Sequence, residues 1–129
     1  PYMAGPSNII NLASSAAFLP QPSFAIYAAS KSMVLSFSRA LNRELAGRGI
    51  IVTAVCPGPV KTEFFDVAQK YTKSKPYKMV LRADPVKVVK KALFDAYYMS
   101  DISVYSPLMK AFRFVSKYLP HSLLIKFMK

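Results

Sequence analysis

The rhythm of hydrophobic and polar positions changes several times along the chain, and each change predicts an element. Residues 8–13, Asn-Ile-Ile-Asn-Leu-Ala, form a short apolar run that gives way to Ser14 and Ser15. That is the pattern of a buried strand ending in a loop. Pro20 and Pro22 exclude regular helix between these serines and Phe24. From Ala25 to Ala46 no Pro or Gly intervenes, and Val34, Phe37, Leu41 and Leu45 recur at three-to-four spacing. An amphipathic helix with Gly47 as its stop is expected there. Ile50-Ile51-Val52-Thr53-Ala54-Val55 is β-branched and apolar on both faces, which is what a strand of a helix-covered parallel sheet requires.

Strand, helix and strand within about fifty residues make a βαβ unit. Open α/β sheets bind ligands at the carboxyl ends of their strands, here Ala13-Ser14-Ser15 and Cys56-Pro57-Gly58-Pro59. Beyond them, Lys61 to Arg82 is polar and basic, studded with Phe64, Phe65, Tyr71 and Tyr77, and a short helix is expected inside it. Asp84-Pro85 supplies an N-cap and a first-turn proline for a helix to about Tyr98, with Val88, Val89, Leu93 and Phe94 inward. Ile102-Ser103-Val104-Tyr105 reads as a third strand. Ser106-Pro107 opens a helix with Leu108, Phe112, Val115 and Leu119 on one side and Lys110, Arg113 and Lys117 on the other, and Pro120 interrupts it.

Composition narrows the function classes. A 129-residue chain that is 53% hydrophobic is not a disordered basic tail. A single cysteine, Cys56, excludes an internal disulfide framework and a multi-cysteine zinc site, and suits a reducing, cytoplasmic setting. The longest apolar stretch, Ile50 to Cys56, is far short of the roughly 18 residues of a membrane span, and Pro1 opens no signal-peptide pattern. The net charge of +12 is uneven, with +9 of it after residue 60. Such a half could face nucleic acid, an anionic membrane or solvent. The lysines are spread over several elements and no nucleic-acid motif is visible, so nucleic acid is not expected as a partner.

Three residues converge on one chemistry. Tyr27 and Lys31 lie four apart on the long helix, hence on one face, and Ser14 ends the preceding strand. A reaction that makes or removes an alkoxide needs a proton donor, and an unaided phenol is a poor one at neutral pH. An ammonium one helical turn away favours tyrosinate, and a serine hydroxyl can fix the substrate oxygen. The Tyr-x-x-x-Lys pair alone is weak, since a second copy, Tyr71 to Lys75, occurs without a strand or a serine partner.

The strand-to-serine pattern Ile9-Ile10-Asn11-Leu12-Ala13-Ser14-Ser15, the run Tyr27-Ala28-Ala29-Ser30-Lys31 and the motif Pro57-Gly58-Pro59-Val60-Lys61-Thr62-Glu63-Phe64 together resemble the short-chain dehydrogenase/reductase family. The resemblance implies an α/β fold, the C-terminal half of a Rossmann-like doubly wound parallel sheet, with residues 1–129 the C-terminal part of one dinucleotide-binding oxidoreductase domain. It implies Ser14, Tyr27 and Lys31 as catalytic residues, Tyr27 exchanging the proton, with Tyr27 and Lys31 also binding cofactor, Lys31 at the nicotinamide ribose. Pro57, Gly58, Val60 and Thr62 would line NADP or NAD, and 60–83 would form a substrate lid in which Phe64 meets a hydrophobic carbonyl or alcohol, with Ser14 and Tyr27 on its oxygen. The lid motif and the tail look like the branch containing 17β-hydroxysteroid dehydrogenases and long-chain 3-oxoacyl reductases. The family's glycine-rich turn, cofactor-selecting residue and catalytic Asn precede the strand holding Ser14. The chain therefore reads as half of a longer protein that needs its other half to bind cofactor and turn over. A homo-oligomer is implied, and residues 106–129 form basic amphipathic helices with a possible peripheral membrane contact. The alternatives are a basic amphipathic binding module and a non-catalytic remnant of a reductase.

Overall fold

The computed structural model describes Met3 and residues 5–62 and 82–126. The helix expected within Lys61–Arg82, and with it Phe64, falls in 63–81, outside the described residues. Strand β1 (Ser7–Leu12) pairs in parallel with β2 (Ile50–Val55), in register from Ser7 opposite Ile50 to Leu12 opposite Val55. The short β3 (Ile102–Ser103) pairs in parallel with β2 through Ala54 and Val55, giving the order β1-β2-β3. As the central strand, β2 encloses Val52, Thr53 and Ala54 completely, as its unbroken apolar pattern demands.

Two side chains complete the backbone pairing that so short a third strand leaves open. The Val52 amide donates to Asn42 Oδ1 at 2.8 Å, and Thr53 Oγ1 donates to the Ser100 carbonyl at 2.7 Å. Buried polar groups are thereby satisfied along the strand. On β1 the side chains alternate, and the Asn11 amide donates to Ser38 Oγ at 3.0 Å while Ile10 and Leu12 are exposed.

Helix α1 (Ala25–Leu45) packs on β1 and β2. Ser38 is fully buried at that crossing and donates to the Val34 carbonyl, so two small polar side chains, Asn11 and Ser38, let helix and strand approach closely. The expected stop at Gly47 is corrected. The chain runs on through a 3-10 turn, Ala46–Arg48, and ends at Gly49, which has φ +66° and donates its amide to the Ala46 carbonyl. Gly47 stays inside the turn because only the residue in the left-handed region must be glycine. Phe37, expected inward, is more than half exposed, since Val34 and Leu35 meet the core instead.

Helix α2 (Pro85–Tyr97) starts as expected, with Asp84 Oδ1 accepting from the Val86 amide at 2.8 Å and Pro85 in the first turn. Its buried face is Val88, Ala92, Asp95 and Ala96. Val89, Leu93 and Phe94 are corrected to exposed positions. Two apolar stripes run along this helix, and the one carrying alanines permits the closer seat against β2 and β3. After Tyr97 the Met99 amide donates to the Ala96 carbonyl and the Ser100 amide to the Asp95 carbonyl, with Met99 at φ 58°. This is a Schellman ending with methionine where glycine is favoured. Met99→Gly is therefore expected to stabilise the protein by about 1 kcal/mol, read as a rise in urea midpoint at unchanged slope.

Helix α3 (Pro107–Tyr118) follows β3, and Pro120 separates it from α4 (His121–Lys126). The inner face of α3 differs from the expected one. Met109 and Phe112 join the core of Ala13, Phe18, Cys56 and Val104, and Ser116 is buried. Leu108, Val115 and Leu119 are corrected to a partly exposed flank. No described helix is long and apolar enough to cross a membrane.

Candidate active site

The carboxyl ends of β1 and β2 are held together by backbone. The Ala13 amide donates to the Val55 carbonyl at 2.9 Å, and the Ser15 amide to the Pro57 carbonyl at 2.8 Å. Ser14, between them, is buried and N-caps a 3-10 turn over Ser15–Phe18 that the sequence reading did not foresee. Ser14 Oγ accepts from the Ala16 amide at 3.1 Å. That bond fixes the oxygen and leaves its hydroxyl hydrogen to donate elsewhere. Ser32 Oγ donates to the Ala17 carbonyl at 3.0 Å, clamping this turn to α1.

Lys31 closes the group. Its Nζ donates to the Leu12 carbonyl at 3.1 Å, two residues before Ser14, and lies 5.8 Å from the centre of the Tyr27 ring. The second turn of α1 and the end of β1 are thus tied by the ammonium itself. The Phe24 ring packs edge-on to Tyr27, with centroids 6.3 Å apart, which restricts the phenol's swing. Nothing in the sequence reading anticipated the Leu12 or Phe24 contacts, because both depend on how the loop Pro20–Phe24 delivers α1.

Pro57, Gly58 and Val60 line the loop after β2, half-buried. Val60 forms a bridge with Ala83, reinforced by the Lys61 amide on the Ala83 carbonyl and the Ala83 amide on the Pro59 carbonyl. The two ends of the expected lid segment therefore meet beside the site. Thr62 is exposed at the start of that segment. A Cβ on Gly58 would lie 2.7 Å from Met109 Cγ, so glycine here lets α3 close on the loop. This motif position thus has a packing reason that only the placement of α3 reveals.

Cys56 is fully buried, and burial pushes its thiol up to about 11, against the smaller opposing influence of Arg113. The thiol stays protonated at neutral pH and is no nucleophile. Native protein is expected to resist a thiol reagent at pH 8 and to react only in denaturant; rapid native labelling would contradict this burial. Among the described residues no group of His, Cys, Asp and Glu could hold a metal.

Ser14 and a proline-glycine loop stand at the carboxyl ends of a parallel α/β sheet, with Tyr27 and Lys31 on the helix beside them, the place where open α/β sheets bind ligands. A family model described as short chain dehydrogenase matches residues 1–73, and the chain belongs to the short-chain dehydrogenase family. It is 43% identical over 61 residues to a short-chain type dehydrogenase/reductase of Picea abies, covering 47% of this chain and 22% of that protein. It is 38% identical over 68 residues to a 2-dehydro-3-deoxy-L-rhamnonate dehydrogenase (NAD(+)) of Sphingomonas, covering 51% and 27%. Mouse 17-beta-hydroxysteroid dehydrogenase type 3 is 41% identical over 54 residues, covering 42% and 18%. In three dimensions the chain superposes on a short chain dehydrogenase from Burkholderia cenocepacia, crystallised with NADP, at a TM-score of 0.73 and 22% identity, covering 95% of this chain and 47% of that one. The Rossmann-like fold expected from the motifs is thereby established. The chain spans about a quarter or less of the length of these curated relatives and about half of that structure.

Proposed function

We propose that the chain is the catalytic C-terminal portion of an NAD(P)-dependent oxidoreductase acting on the carbonyl or alcohol of a hydrophobic small molecule. The observation that carries this reading is the convergence of Ser14, the Tyr27–Lys31 turn and the Pro57–Val60 loop at the carboxyl ends of β1 and β2, held by the Lys31–Leu12 and Ser15–Pro57 bonds. The residues present fit the nicotinamide end of a dinucleotide. Lys31, already aimed at a backbone oxygen, suits a ribose hydroxyl, and Pro57, Gly58, Val60 and Thr62 line the adjacent loop. They do not supply a glycine-rich cradle for the diphosphate, because Gly5, Gly47, Gly49 and Gly58 form no strand-to-helix glycine turn. Residues 1–129 are accordingly part of a single domain, with 60–83 as lid.

When bound, the nicotinamide supplies or accepts the hydride. In reduction, Tyr27 Oη gives its proton to the oxygen that gains negative charge, and in oxidation it takes that proton back. Ser14 donates a hydrogen bond to the same oxygen, favouring the state in which charge has developed. The Lys31 ammonium stabilises the tyrosinate left behind. Support for a hydrophobic substrate comes from the relationship to the mouse steroid dehydrogenase and from Phe64 in the lid motif. NADP in one relative and NAD(+) in another support the nicotinamide class without choosing between them. The exposed stripe Ile26, Met33 and Phe37 on α1 supports a homo-oligomer.

The reading is tested with the intact enzyme, NADPH or NADH deuterated at the nicotinamide C4, and a panel of steroid and long-chain 3-oxoacyl ketones. Deuterium is expected at the carbinol carbon of at least one product. Absence of transfer from both nucleotides, under conditions where they bind, would remove the proposal.

A further inference from the structure

The outer face of α3 carries exposed aromatic and cationic side chains that the oxidoreductase reading leaves unused. Met109, Phe112 and Ser116 turn inward, so the helix already has its core seat. On the opposite side Phe114 and Tyr118, one turn apart, stack with ring centroids 4.5 Å apart and are 65% and 63% exposed. Leu108, Val115 and Leu119 extend this strip along one flank, and Leu123 of α4 is also exposed. Lys110 and Lys117 are exposed beside it, with Lys117 Nζ 5.5 Å from the centre of the Tyr118 ring. An amphipathic surface helix normally points its aromatic residues inward and its charges outward. Here aromatic rings and lysines share the solvent side.

Charge decides what fits this face. From Ile102 to Lys129 there is no Asp or Glu, while Lys110, Arg113, Lys117, Lys126 and Lys129 are all cationic. The nearest acidic residues before that stretch are already paired, Asp101 with Arg39 and Asp95 with Lys91. A second copy docking here would set like charges against each other. An anionic surface with an apolar layer beneath it meets both requirements, and long lysine side chains reach its headgroups while the rings lie deeper.

We propose that α3 docks this protein on an anionic phospholipid bilayer, with Phe114 and Tyr118 at the acyl-chain boundary and Lys110 and Lys117 on the headgroups. Because Met109 seats α3 directly on Gly58, the docked helix brings the loop after β2 to within about one helix diameter, some 10 Å, of the lipid surface. The inference stands independently of the reaction assigned to Tyr27.

The test is co-sedimentation of the intact enzyme with vesicles of phosphatidylcholine alone, or of phosphatidylcholine with one-third phosphatidylserine. Binding is expected only to the anionic vesicles at near-physiological salt, and high salt should release it. Lys110→Ala with Lys117→Ala should weaken partitioning about 30-fold, and Phe114→Ser with Tyr118→Ser at least about tenfold. All four side chains are exposed, so the thermal transition should stay within about 2 °C of the parent chain in either variant. Three results would overturn the proposal: no sedimentation with anionic vesicles, equal binding to neutral ones, or full binding by the Phe114→Ser, Tyr118→Ser variant. A concentration-dependent dimer that this variant abolishes, with vesicle binding absent, would assign the face to a second copy instead.

Discussion

Tyr27→Phe in the intact enzyme is expected to lower the turnover number for carbonyl reduction about a thousandfold, with cofactor affinity changed less than about twofold. The substitution removes one oxygen from the first turn of α1 and leaves its surroundings intact. The phenylalanine ring retains the edge contact with Phe24, and Lys31 retains its bond to the Leu12 carbonyl. What disappears is the phenol that, in the proposed reaction, exchanges a proton with the substrate oxygen, an effect of about 10²- to 10⁴-fold for a positioned acid or base. The loss should fall on the turnover number, because the interaction matters most where charge develops. Lys31→Met separates proton transfer from scaffold. It removes the ammonium and the α1-to-β1 tie together, so it should impair cofactor binding as well as turnover. Equal loss of affinity in both variants would mean that Tyr27 acts through structure and not through its proton.

The part of this site that was legible in the sequence is the part set by short-range spacing. Four residues place Tyr27 and Lys31 on one helical face, and the switch from Asn-Ile-Ile-Asn-Leu-Ala to two serines marks the end of β1. The continuous apolar run at 50–55 identifies the central strand to the residue, because burial on both faces leaves no alternative pattern. Helix faces were less legible. Both α2 and α3 carry enough apolar residues for two stripes, and the choice between them depends on which stripe is small enough, as at Ala92 and Ala96, or shaped to fill a gap, as at Met109 and Phe112. That choice is made by the partner surface. The 3-10 turn after Ser14 was invisible for a related reason: it is fixed by the Ser14 cap and by Ser32 reaching across from α1. The stop at Gly49 instead of Gly47 reflects a competition between two glycines that periodicity cannot resolve.

Phe18→Ala is expected to cost about 3–5 kcal/mol of stability, a loss comparable to the low end of a typical domain's whole reserve. Phe18 is nearly enclosed in the cluster with Ala13, Cys56 and Val104, and its ring centroid lies 6.4 Å from that of Phe112 on α3. It therefore joins three things: the turn that Ser14 caps, the end of the central strand, and α3. Its truncation opens a cavity where backbone at Ser14 and Pro57 must hold position, and relaxation of one wall moves the others. The thermal midpoint should fall by about 10–20 °C, while Phe114→Ala, on the outer face of the same helix that Phe112 anchors, should shift stability by no more than about 0.5 kcal/mol. Phe18→Leu should recover most of the loss, since it restores volume without the ring. If Phe18→Ala unfolded within 1 kcal/mol of the parent, the described core would be wrong about what supports Ser14. A double-mutant cycle with Phe112→Ala sharpens the point: a coupling of about 0.5–1.5 kcal/mol is expected for a tilted aromatic pair, and a coupling near zero would mean that α3 and the Ser14 turn are stabilised separately.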